Sequence, residues 1–558
     1  MALTWIVLLT LLVVIGVIVI VGPIRRLLIT GLVFRWYQKV LPPMSATERE
    51  AIDAGDTWHE ADLFQGRPNW QELLALPKPT LTKAEQDFLD NQVEKFCSMI
   101  DDWQITQHDL DLPEPAWNYL KTAGFFGLHI PPEFGGLGFS ALASSTVVQK
   151  VATKSSTAAV IVMVPNSLGP AELLLNYGTE QQKQQYLHKL AKGVEVPCFG
   201  LTSPVAGSDA GAIVDEGIVS YGEFNGQKVL GLRLNWNKRY ITLAPIATVI
   251  GLAVKVKDPD HLLGKYAELG ITVVLMPTDL PGIEIGKRHF PLNQPFMNGP
   301  TRGKDVFVPL DFVIGGAERI GHGWQMLVEC LAAGRGISLP AVSTATGKHC
   351  FTTCGAYAKL RQQFGLSIGK FEGVAAALAR IGGQAYMLEA TRVLTLGAID
   401  AKARPSVVTA ICKYHMTEMA RKVINDAMDI HGGKGVMLGP RNYLGRVYEA
   451  LPISITVEGA NILTRCLIIF GQGAIRCHPY IFKEMLAAMN EDKHAGLQEF
   501  DTAFSGHVCY TVGNYFKLLF HSYSSMLFCE SPSSDPQWSK YYRRLSFCSL
   551  ALACSTDM

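Results

Sequence analysis

The sequence lacks an excess of charge of either sign. Among its 558 residues, 50 are Lys or Arg and 49 are Asp or Glu, so the formal net charge is +1. This balance gives no electrostatic footprint for nucleic acid, and no nucleic-acid partner is predicted. Charged residues make up only 18% of the chain, below the roughly 25% of an average soluble domain. A membrane segment, or unusually extensive burial, would explain that deficit.

Common cofactor motifs are also missing. None of the 12 cysteines forms a CxxC motif, and Cys350 and Cys354, the nearest pair, have no second pair or His at zinc-ligand spacing. Scattered cysteines in a large chain indicate reduced, mostly buried thiols, so neither a metal site nor a disulfide framework is predicted. The glycine-rich loops GxGxxG and GxxxxGK[ST] do not occur, which excludes two familiar nucleotide-binding motifs.

A long apolar segment lies at the N-terminus. Residues 3–22 carry no charge and are nearly all Leu, Ile and Val, and twenty helical residues span roughly 30 Å, the thickness of a hydrocarbon core. A cleaved secretory signal fits poorly, because no basic region precedes the run and no small-x-small site follows it. Arg25, Arg26, Arg35 and Lys39 follow the run. We therefore expect a single-pass anchor with the rest of the chain in the cytoplasm, and an interfacial helix over residues 27–41.

Blocks of helical and β periodicity follow one another along the chain. Helical spacing before residue 195 gives way to short β runs between Gly, Asn, Asp and Pro, and then to helices again. This order predicts an α+β multidomain fold rather than alternating βαβ units. The predicted segments are an anchor with its interfacial helix (1–42), a connector (43–80), an N-terminal helical domain (81–195), a β domain (196–316), a C-terminal helical domain (317–494) and a tail (495–558).

Several short segments have the composition of a ligand-binding site. Small hydroxyl residues and glycines between Leu201 and Gly211 would let a backbone approach a flat or phosphorylated ligand. Tyr240 and Thr242 share one face of a predicted strand. Arg361, at a predicted helix end, suits a pyrophosphate. Taken alone, each of these segments also fits an ordinary loop, sheet or helix end.

One carboxylate is a candidate general base. Glu458 precedes Gly459 at a predicted loop-to-helix junction, after the apolar run 451–457. A carboxylate in apolar surroundings has a raised pKa and can accept a proton near neutral pH. A lone Glu in this position also fits a helix N-terminal charge.

Taken together and in order, these segments resemble the acyl-CoA dehydrogenase family, over roughly residues 80–480. The motifs are Gly135-Gly136-Leu137-Gly138, Leu201-Thr202-Ser203-Pro204-Val205-Ala206-Gly207-Ser208-Asp209, Tyr240-Ile241-Thr242, Asp305-Val306-Phe307-Val308-Pro309, Arg361-Gln362-Gln363-Phe364-Gly365, Gly432-Gly433-Lys434-Gly435 and Glu458-Gly459. The anchor and the segment 470–479 resemble, more narrowly, the bacterial membrane-associated FadE-type members. That resemblance implies that residues 495–558 begin a further C-terminal domain.

The resemblance implies a flavoenzyme with a helical domain, a central β-barrel or β-sandwich domain and a C-terminal helical bundle. FAD would bind between the β domain and the C-terminal helices. Thr202 and Ser208 would lie over the flavin and its phosphates, and Tyr240 and Thr242 beside the ring. The adenosine-diphosphate turn would be Gly432-Gly433.

The resemblance also implies subunit contacts and a reaction. Arg361 and Phe364 would reach the FAD of a neighbouring subunit, so a homo-oligomer is expected. Glu458 would be the catalytic base. The expected reaction is α,β-dehydrogenation of a medium- or long-chain acyl-CoA to a trans-2-enoyl-CoA, the first step of fatty acid β-oxidation.

Electrons would pass to electron-transfer flavoprotein, and the expected location is the bacterial inner membrane with the catalytic part cytoplasmic. Two alternatives stay open at this point: an acyl-CoA oxidase that uses O₂, and a degenerate, non-catalytic acyl-CoA-binding protein. Chain-length preference, oligomeric state and the physiological electron acceptor are not determined by the sequence.

Overall fold

The computed structural model describes residues 2–53, 55–167 and 169–557. Its internal contacts divide the chain into two units. The terminal unit comprises Met1–Ile52, Thr57–Leu76 and Cys466–Met558, and the central unit comprises Asp53–Asp56 and Pro77–Arg465. Sequence-distant ends of the chain therefore belong to one unit.

The α-helices before the sheet are α1 (Ala2–Ile20), α2 (Gly22–Arg25), α3 (Gly31–Val40), α4 (Ala46–Asp53), α5 (His59–Phe64), α6 (Trp70–Ala75), α7 (Lys83–Phe88), α8 (Glu94–Ser98), α9 (Asp102–Gln104), α10 (Glu114–Thr122), α11 (Ala141–Lys154), α12 (Ser156–Ser167), α13 (Pro170–Tyr177) and α14 (Glu180–Ala191). Those after the sheet are α15 (Gly323–Leu360), α16 (Glu372–Asp400), α17 (Ser406–His431), α18 (Gly433–Val436), α19 (Gly445–Thr456), α20 (Asn461–Leu463), α21 (Gly473–Cys477), α22 (Ile481–Met489), α23 (Lys493–Tyr523) and α24 (Pro536–Thr556). Segments of π-helix continue several of them, at Arg26–Thr30, Leu89–Val93, Ile105–Asp109 and Thr464–Gln472.

The strands form one large sheet and a small hairpin. They are β1 (Pro197–Gly200), β2 (Glu216–Phe224), β3 (Gln227–Thr242), β4 (Val249–Lys257), β5 (Glu268–Pro277), β6 (Ile283–Ile285), β7 (Asn298–Pro309), β8 (Gln362–Gln363) and β9 (Leu366–Ser367).

The large sheet has the order β1-β4-β2-β3-β7-β6, with β5 paired to β4. Since β5 pairs antiparallel with β4 along its whole length, β1 and β2 share the other edge of β4, both parallel to it. Strand β4 reads Val-Ile-Gly-Leu-Ala-Val and is buried through that run, as a central strand covered on both faces should be. The predicted β block of the central domain is thus present as strands.

The sheet and the helices of the central unit share a core. Phe96 and Phe125 on the N-terminal side, Val254 and Val274 in the sheet, and Leu339 in α15 belong to one buried cluster. A second cluster joins α14, β5 and the beginning of α15. Because helices and strands share these two close-packed clusters, the backbone around the sheet has little freedom to move.

A buried carboxylate organises the terminal unit. Asp501 of α23 accepts hydrogen bonds from Arg25 Nε at 2.8 Å, Arg25 Nη2 at 2.9 Å and Thr30 Oγ1 at 2.8 Å. Arg26 Nη1 lies 3.4 Å from the same group. The rings of Phe34 and Phe500 pack nearby, with centroids 5.1 Å apart. The segment after α1 is therefore fixed to α23.

Helix α1 has apolar side chains that are exposed. Trp5, Ile6 and Ile20 are 68%, 62% and 79% exposed. Apolar side chains all round a helix are typical of one that is surrounded by protein or by lipid. The helix itself is consistent with the predicted anchor, while the membrane span stays a prediction.

Within the described residues, two helical segments are long and apolar enough to cross a membrane by length and composition, Ser156–Tyr177 and Gly323–Leu360. Their apolar windows are 76% and 73% buried inside the protein, so core packing accounts for their composition. A further candidate arises if Gly445–Thr456 and Asn461–Cys477 are counted as one bent span.

Candidate active site

Glu458 lies in a sharp reversal between two helices of the central unit. Helix α19 ends at Thr456, and α20 begins at Asn461. Between them, Glu458 and Gly459 both adopt positive φ, at 54° and 91°. Glycine takes this conformation freely, whereas a residue with a Cβ adopts it at a cost of roughly 1–2 kcal/mol. The turn at Glu458 is therefore held by contacts from elsewhere.

The carboxylate of Glu458 is sequestered. Both of its oxygens are buried, and neither has a hydrogen-bond partner among the described residues. Burial raises the pKa of Glu458 to about 7, while the positive charges of Arg335 and Lys413 act in the opposite direction. A carboxylate in this state can gain or lose a proton near neutral pH. The direction of this pKa shift agrees with the one predicted from the sequence.

Two cations hold the backbone of the reversal. Arg335 of α15 donates from Nε to the Glu458 carbonyl oxygen at 3.0 Å. Lys413 of α17 donates from Nζ to the Gly459 carbonyl oxygen at 2.7 Å and to the Ile455 carbonyl oxygen at 3.3 Å. Both cations bind main-chain atoms and leave the carboxylate oxygens of Glu458 free for another group.

An apolar cavity lies next to this turn. It is lined by Val160, Met163, Phe296, Leu339, Val342 and Val457, among others, and Val457 is the residue before Glu458. Gln294 is a polar member of the lining, and its Nε2 is buried without a partner among the described residues. Such a lining suits an apolar chain that carries a polar acceptor.

A second group of predicted residues meets at the end of β3. The pairing of β3 with β7 shifts register between Lys238 and Ile241, and Tyr240 in that bulge has φ 64° and is 59% exposed. Asn298 donates to the Tyr240 carbonyl oxygen at 3.0 Å and to Thr242 Oγ1 at 3.2 Å. The bulge therefore turns the ring of Tyr240 outward while Thr242 stays held.

The hydroxyl-rich loop lies beside this bulge. The Arg239 amide donates to the Thr202 carbonyl oxygen at 3.0 Å, and Lys238 Nζ donates to the Leu201 carbonyl oxygen at 3.0 Å. Ser208 is exposed further along the loop. Thr202, Tyr240 and Thr242 thus lie in one group, and their contact with a flavin stays a prediction.

A third group forms at the ends of α15 and α17. Strands β8 and β9 make a hairpin whose turn residues Phe364 and Gly365 have φ 52° and 77°. Phe364 is 94% exposed, and Arg361 at the base of the hairpin is exposed as well. Both side chains are therefore accessible to another molecule.

The glycine turn follows α17. Gly432 has φ 53° and ψ −131°, and an added Cβ at Gly432 or Gly433 would meet nothing within 4 Å. The turn is therefore open to a ligand. The rings of Tyr357 in α15 and His431 in α17 stack with centroids 4.3 Å apart, so the helix ends that carry the hairpin and the glycine turn meet.

No hydrogen bond or ring contact of the described residues links the second or third group directly to Glu458. Arg335 and Lys413 were not identified from the sequence. For Lys413 a signal existed, because it occupies a position of the apolar stripe Ala410, Met416 and Ala420 along α17. A lysine at a core position needs partners to stay charged.

Three family models match the chain. They are described as acyl-CoA dehydrogenase, N-terminal domain (residues 80–194), acyl-CoA dehydrogenase, C-terminal domain (residues 321–469), and acyl-CoA dehydrogenase, C-terminal, bacterial type (residues 475–558).

Curated relatives have similar descriptions. The chain is 32% identical over 372 residues to the probable acyl-CoA dehydrogenase YngJ of Bacillus subtilis, covering 64% of the chain and 90% of the relative. It is 28% identical over 426 residues to the probable acyl-CoA dehydrogenase FadE10 of Mycobacterium tuberculosis, covering 73% of the chain and 62% of the relative. A 104-residue stretch, 19% of the chain, is 62% identical to the protein HemX of Proteus mirabilis, of which it covers 61%. The chain thus spans less than two thirds of the length of two of these relatives.

Solved structures share the fold. Butyryl-CoA dehydrogenase from Megasphaera elsdenii matches with a TM-score of 0.62 at 23% identity, covering 71% of this chain and 99% of that one. A glutaryl-CoA dehydrogenase in complex with glutaryl-CoA matches with a TM-score of 0.62 at 25% identity, covering 72% and 98%.

Proposed function

Because the chain belongs to the acyl-CoA dehydrogenase family of oxidoreductases that act on CH–CH bonds, we propose that it catalyses the FAD-dependent α,β-dehydrogenation of medium- or long-chain acyl-CoA to trans-2-enoyl-CoA. The observation that carries this proposal is Glu458, a buried carboxylate with unpartnered oxygens and a pKa of about 7 beside an apolar cavity. The reaction is the first step of fatty acid β-oxidation.

Glu458 removes the α-proton of the acyl thioester. That proton is only weakly acidic, so the base must be desolvated and held close to it. The backbone contacts from Arg335 and Lys413 hold the turn without occupying the carboxylate oxygens. The cavity beside Val457 accepts the acyl chain, and its apolar lining excludes water from the reacting carbons.

The other two groups of residues fit FAD. Open glycine turns at Gly432 and Gly433 allow close approach of phosphate. The outward ring of Tyr240 and the fixed hydroxyl of Thr242, beside Thr202 and Ser208, suit a planar ring system. Bound FAD would supply the redox chemistry by accepting the β-hydrogen as hydride.

Arg361 and Phe364 complete the cofactor site of a second subunit in this proposal. Both residues are exposed on the short β8–β9 hairpin, and the ring of Phe364 is almost fully exposed. The protein therefore acts as a homo-oligomer. Electron-transfer flavoprotein receives the electrons, as the family resemblance implies.

The proposal includes an inner-membrane location with the catalytic part in the cytoplasm. It is supported by the apolar, exposed helix α1, by the basic residues after it and by the Arg25–Asp501 contact that fixes the anchor segment to the terminal unit. Deletion of residues 2–20 should move the protein to the soluble fraction and leave Arg25 in place. Unchanged tight membrane association would contradict the anchor.

An anaerobic flavin spectrum tests the reaction. Purified protein should be yellow, and addition of a long-chain acyl-CoA should bleach the flavin with formation of the enoyl-CoA. A flavin that stays oxidised with every chain length would refute the proposal. Colourless protein would favour a non-catalytic acyl-CoA-binding protein, and rapid reoxidation by O₂ with peroxide release would favour an oxidase.

A further inference from the structure

Lys413 is a charged side chain in the interior of the central unit. It is 0% exposed, and its neighbours along the same face of α17 are Ala410, Met416 and Ala420, all of them buried. An ammonium group in such a place costs several kcal/mol unless it is well paired. Packing alone therefore does not explain why a lysine occupies this position.

All three hydrogen-bond acceptors of Lys413 belong to the segment around the proposed base. Nζ lies 2.7 Å from the Gly459 carbonyl oxygen, 2.7 Å from Asn461 Oδ1 and 3.3 Å from the Ile455 carbonyl oxygen. An ammonium group has three donors, so its capacity is used fully by the segment 455–461. These acceptors flank Glu458 on both sides in the chain.

The same helix holds the far side of the segment. Asn461 Nδ2 donates to Thr417 Oγ1 at 3.0 Å and to Glu418 Oε1 at 2.8 Å. Lys413 lies one turn before Thr417 and Glu418 on α17, so one helix fixes the end of the reversal. Thr464 Oγ1 adds a hydrogen bond of 3.1 Å to the Gly459 carbonyl oxygen.

The charges around Lys413 come from three elements. Arg335 is on α15, Glu418 is on α17, and Glu458 is in the reversal between α19 and α20. Burial lowers the pKa of Lys413 to about 8, while the negative charge of Glu458 opposes this change. Near pH 7, where Glu458 is half ionised, Lys413 is therefore mostly a cation.

We propose that Lys413 is a positioning residue for Glu458: its ammonium group fixes the left-handed turn of residues 458–459 and supplies the positive charge that keeps the buried carboxylate ionisable. The identity of Glu458 as the base rests on the proposed function. The placement of Lys413 against the turn does not depend on the proposed function. Loss of this cation should both loosen the turn and make Glu458 harder to deprotonate.

Three variants separate these two effects. Lys413→Met removes the charge and the three hydrogen bonds, Lys413→Arg keeps the charge, and Asn461→Ala keeps Lys413 but removes one of its acceptors. Lys422→Met is the matched control, because Lys422 is exposed on the same helix. Amide hydrogen exchange of residues 455–461 measures the order of the turn.

Lys413→Met should raise amide exchange of residues 455–461 by about tenfold or more, with little change elsewhere. It should also shift the acidic limb of the pH–rate profile upward by about one pH unit, since a nearby positive charge lowers a carboxyl pKa. Lys413→Arg should restore the limb, Asn461→Ala should change exchange without moving the limb, and Lys422→Met should change neither. Unchanged exchange and an unchanged limb in Lys413→Met would overturn the proposal.

Failure of the proposed function can be told apart from failure of this inference. The protonated carboxyl band of Glu458 can be followed by infrared difference spectroscopy against pH, assigned by its disappearance in Glu458→Gln. If the wild type oxidises no acyl-CoA, this band and the exchange rates still decide the role of Lys413. If Lys413→Met does not fold, Asn461→Ala decides it, and unchanged exchange in 455–461 would refute the positioning role.

Discussion

Two buried carboxylates, one in each unit, show how different surroundings give the same chemical group opposite properties. Asp501 in the terminal unit accepts hydrogen bonds from Arg25 and Thr30 on both oxygens. Glu458 in the central unit has cations nearby, but they bind its backbone and that of its neighbours.

The pKa directions follow from this difference. Burial alone would raise the pKa of Asp501, but the hydrogen bonds from Arg25 and Thr30 and the charges of Arg25 and Arg26 bring it below the usual value. Burial raises the pKa of Glu458 to about 7, because no donor reaches its oxygens among the described residues. Donors that bind the carboxylate oxygens keep Asp501 ionised in a structural role. Donors that bind the main chain leave the carboxylate of Glu458 free to exchange a proton.

The largest effect is expected at the reactive carboxylate. Glu458→Gln keeps the size and polarity of the side chain but cannot accept the proton. Turnover should fall by roughly 10²–10⁴-fold or more, while the flavin spectrum and acyl-CoA binding are retained. Near-normal turnover in stopped-flow reduction of the flavin would show that another group is the base.

The structural carboxylate should respond in stability instead. Asp501→Ala leaves Arg25 and Thr30 without their acceptor, and breaking a buried pair costs about 3 kcal/mol. The opening free energy of α23, measured by amide exchange, should fall by this amount without a change in the acidic limb of the activity profile. Glu499→Ala, an exposed acidic residue on the same helix, is the control and should have little effect. If Asp501→Ala were as stable as the wild type, Asp501 would not be a structural carboxylate and the contrast with Glu458 would be lost.

The two carboxylates should also give stability opposite slopes with pH. The folded-state pKa of Glu458 is raised from 4.5 to about 7, so its contribution is fully present below pH 4.5 and is lost as the pH rises to 7. Asp501 has a lowered pKa, so its contribution is present above its unfolded pKa and is lost as the pH falls through the folded value. Glu458→Gln should therefore gain about 3 kcal/mol relative to the wild type at pH 8, and little at pH 4.5. Equal stability differences at both pH values in amide exchange of α17 would contradict this assignment.

A smaller effect is expected at a histidine between two further carboxylates of the terminal unit. His507 Nδ1 lies 2.9 Å from Glu484 Oε1, and Nε2 lies 3.4 Å from Asp557 Oδ1. Burial lowers the pKa of His507, but these two partners raise it above its ordinary value overall. Its stabilising contribution, about 1 kcal/mol, should be present below pH 6.5 and lost as the pH rises through the raised pKa. His507→Gln should remove this pH dependence from the amide exchange of α23. If the pH dependence persisted in the variant, another group would be its source.

His478, Asp557 and His507 meet in the same network, whose ring nitrogens and carboxylate oxygen lie within 4.8 Å of one another. His478 Nδ1 accepts from the amides of Tyr480 and Ile481 at 3.2 and 3.1 Å. Its neutral ring must therefore carry the proton on Nε2, which faces Asp557 at 3.0 Å. A metal ligand at Nε2 would need the opposite tautomer, so the cluster is a hydrogen-bond network.

Local patterns were enough to predict some of this arrangement. The change from helical to alternating periodicity located the β block, and the Glu-Gly pair after an apolar run located the reversal at Glu458. Where the sequence predicts only short β runs, the structure has one strand of 16 residues, β3, because the polar and aromatic stretch around Trp236 pairs with β7 despite two register shifts. The connector predicted over 43–80 contains the short helices α4, α5 and α6.

The contacts that define the site could not be predicted. Arg335 and Lys413 lie 123 and 46 residues before the atoms they bind, counted to Glu458 and Gly459. Their acceptors are carbonyl oxygens, which every residue has, so no residue type marks the partner. Lys413 is the exception, because a lysine within an apolar stripe indicates from the sequence alone that its ammonium group has buried partners.

The left-handed backbone at residue 458 has a consequence for protein engineering. In a saturation library at position 458, each variant must meet two separate requirements. The side chain must accept a proton, and the main chain must adopt a positive φ. Glu458→Gly would relieve the second while abolishing the first, so the best-folding clones and the best-catalysing clones should be different. Screens for thermal robustness alone would then select inactive proteins at this position.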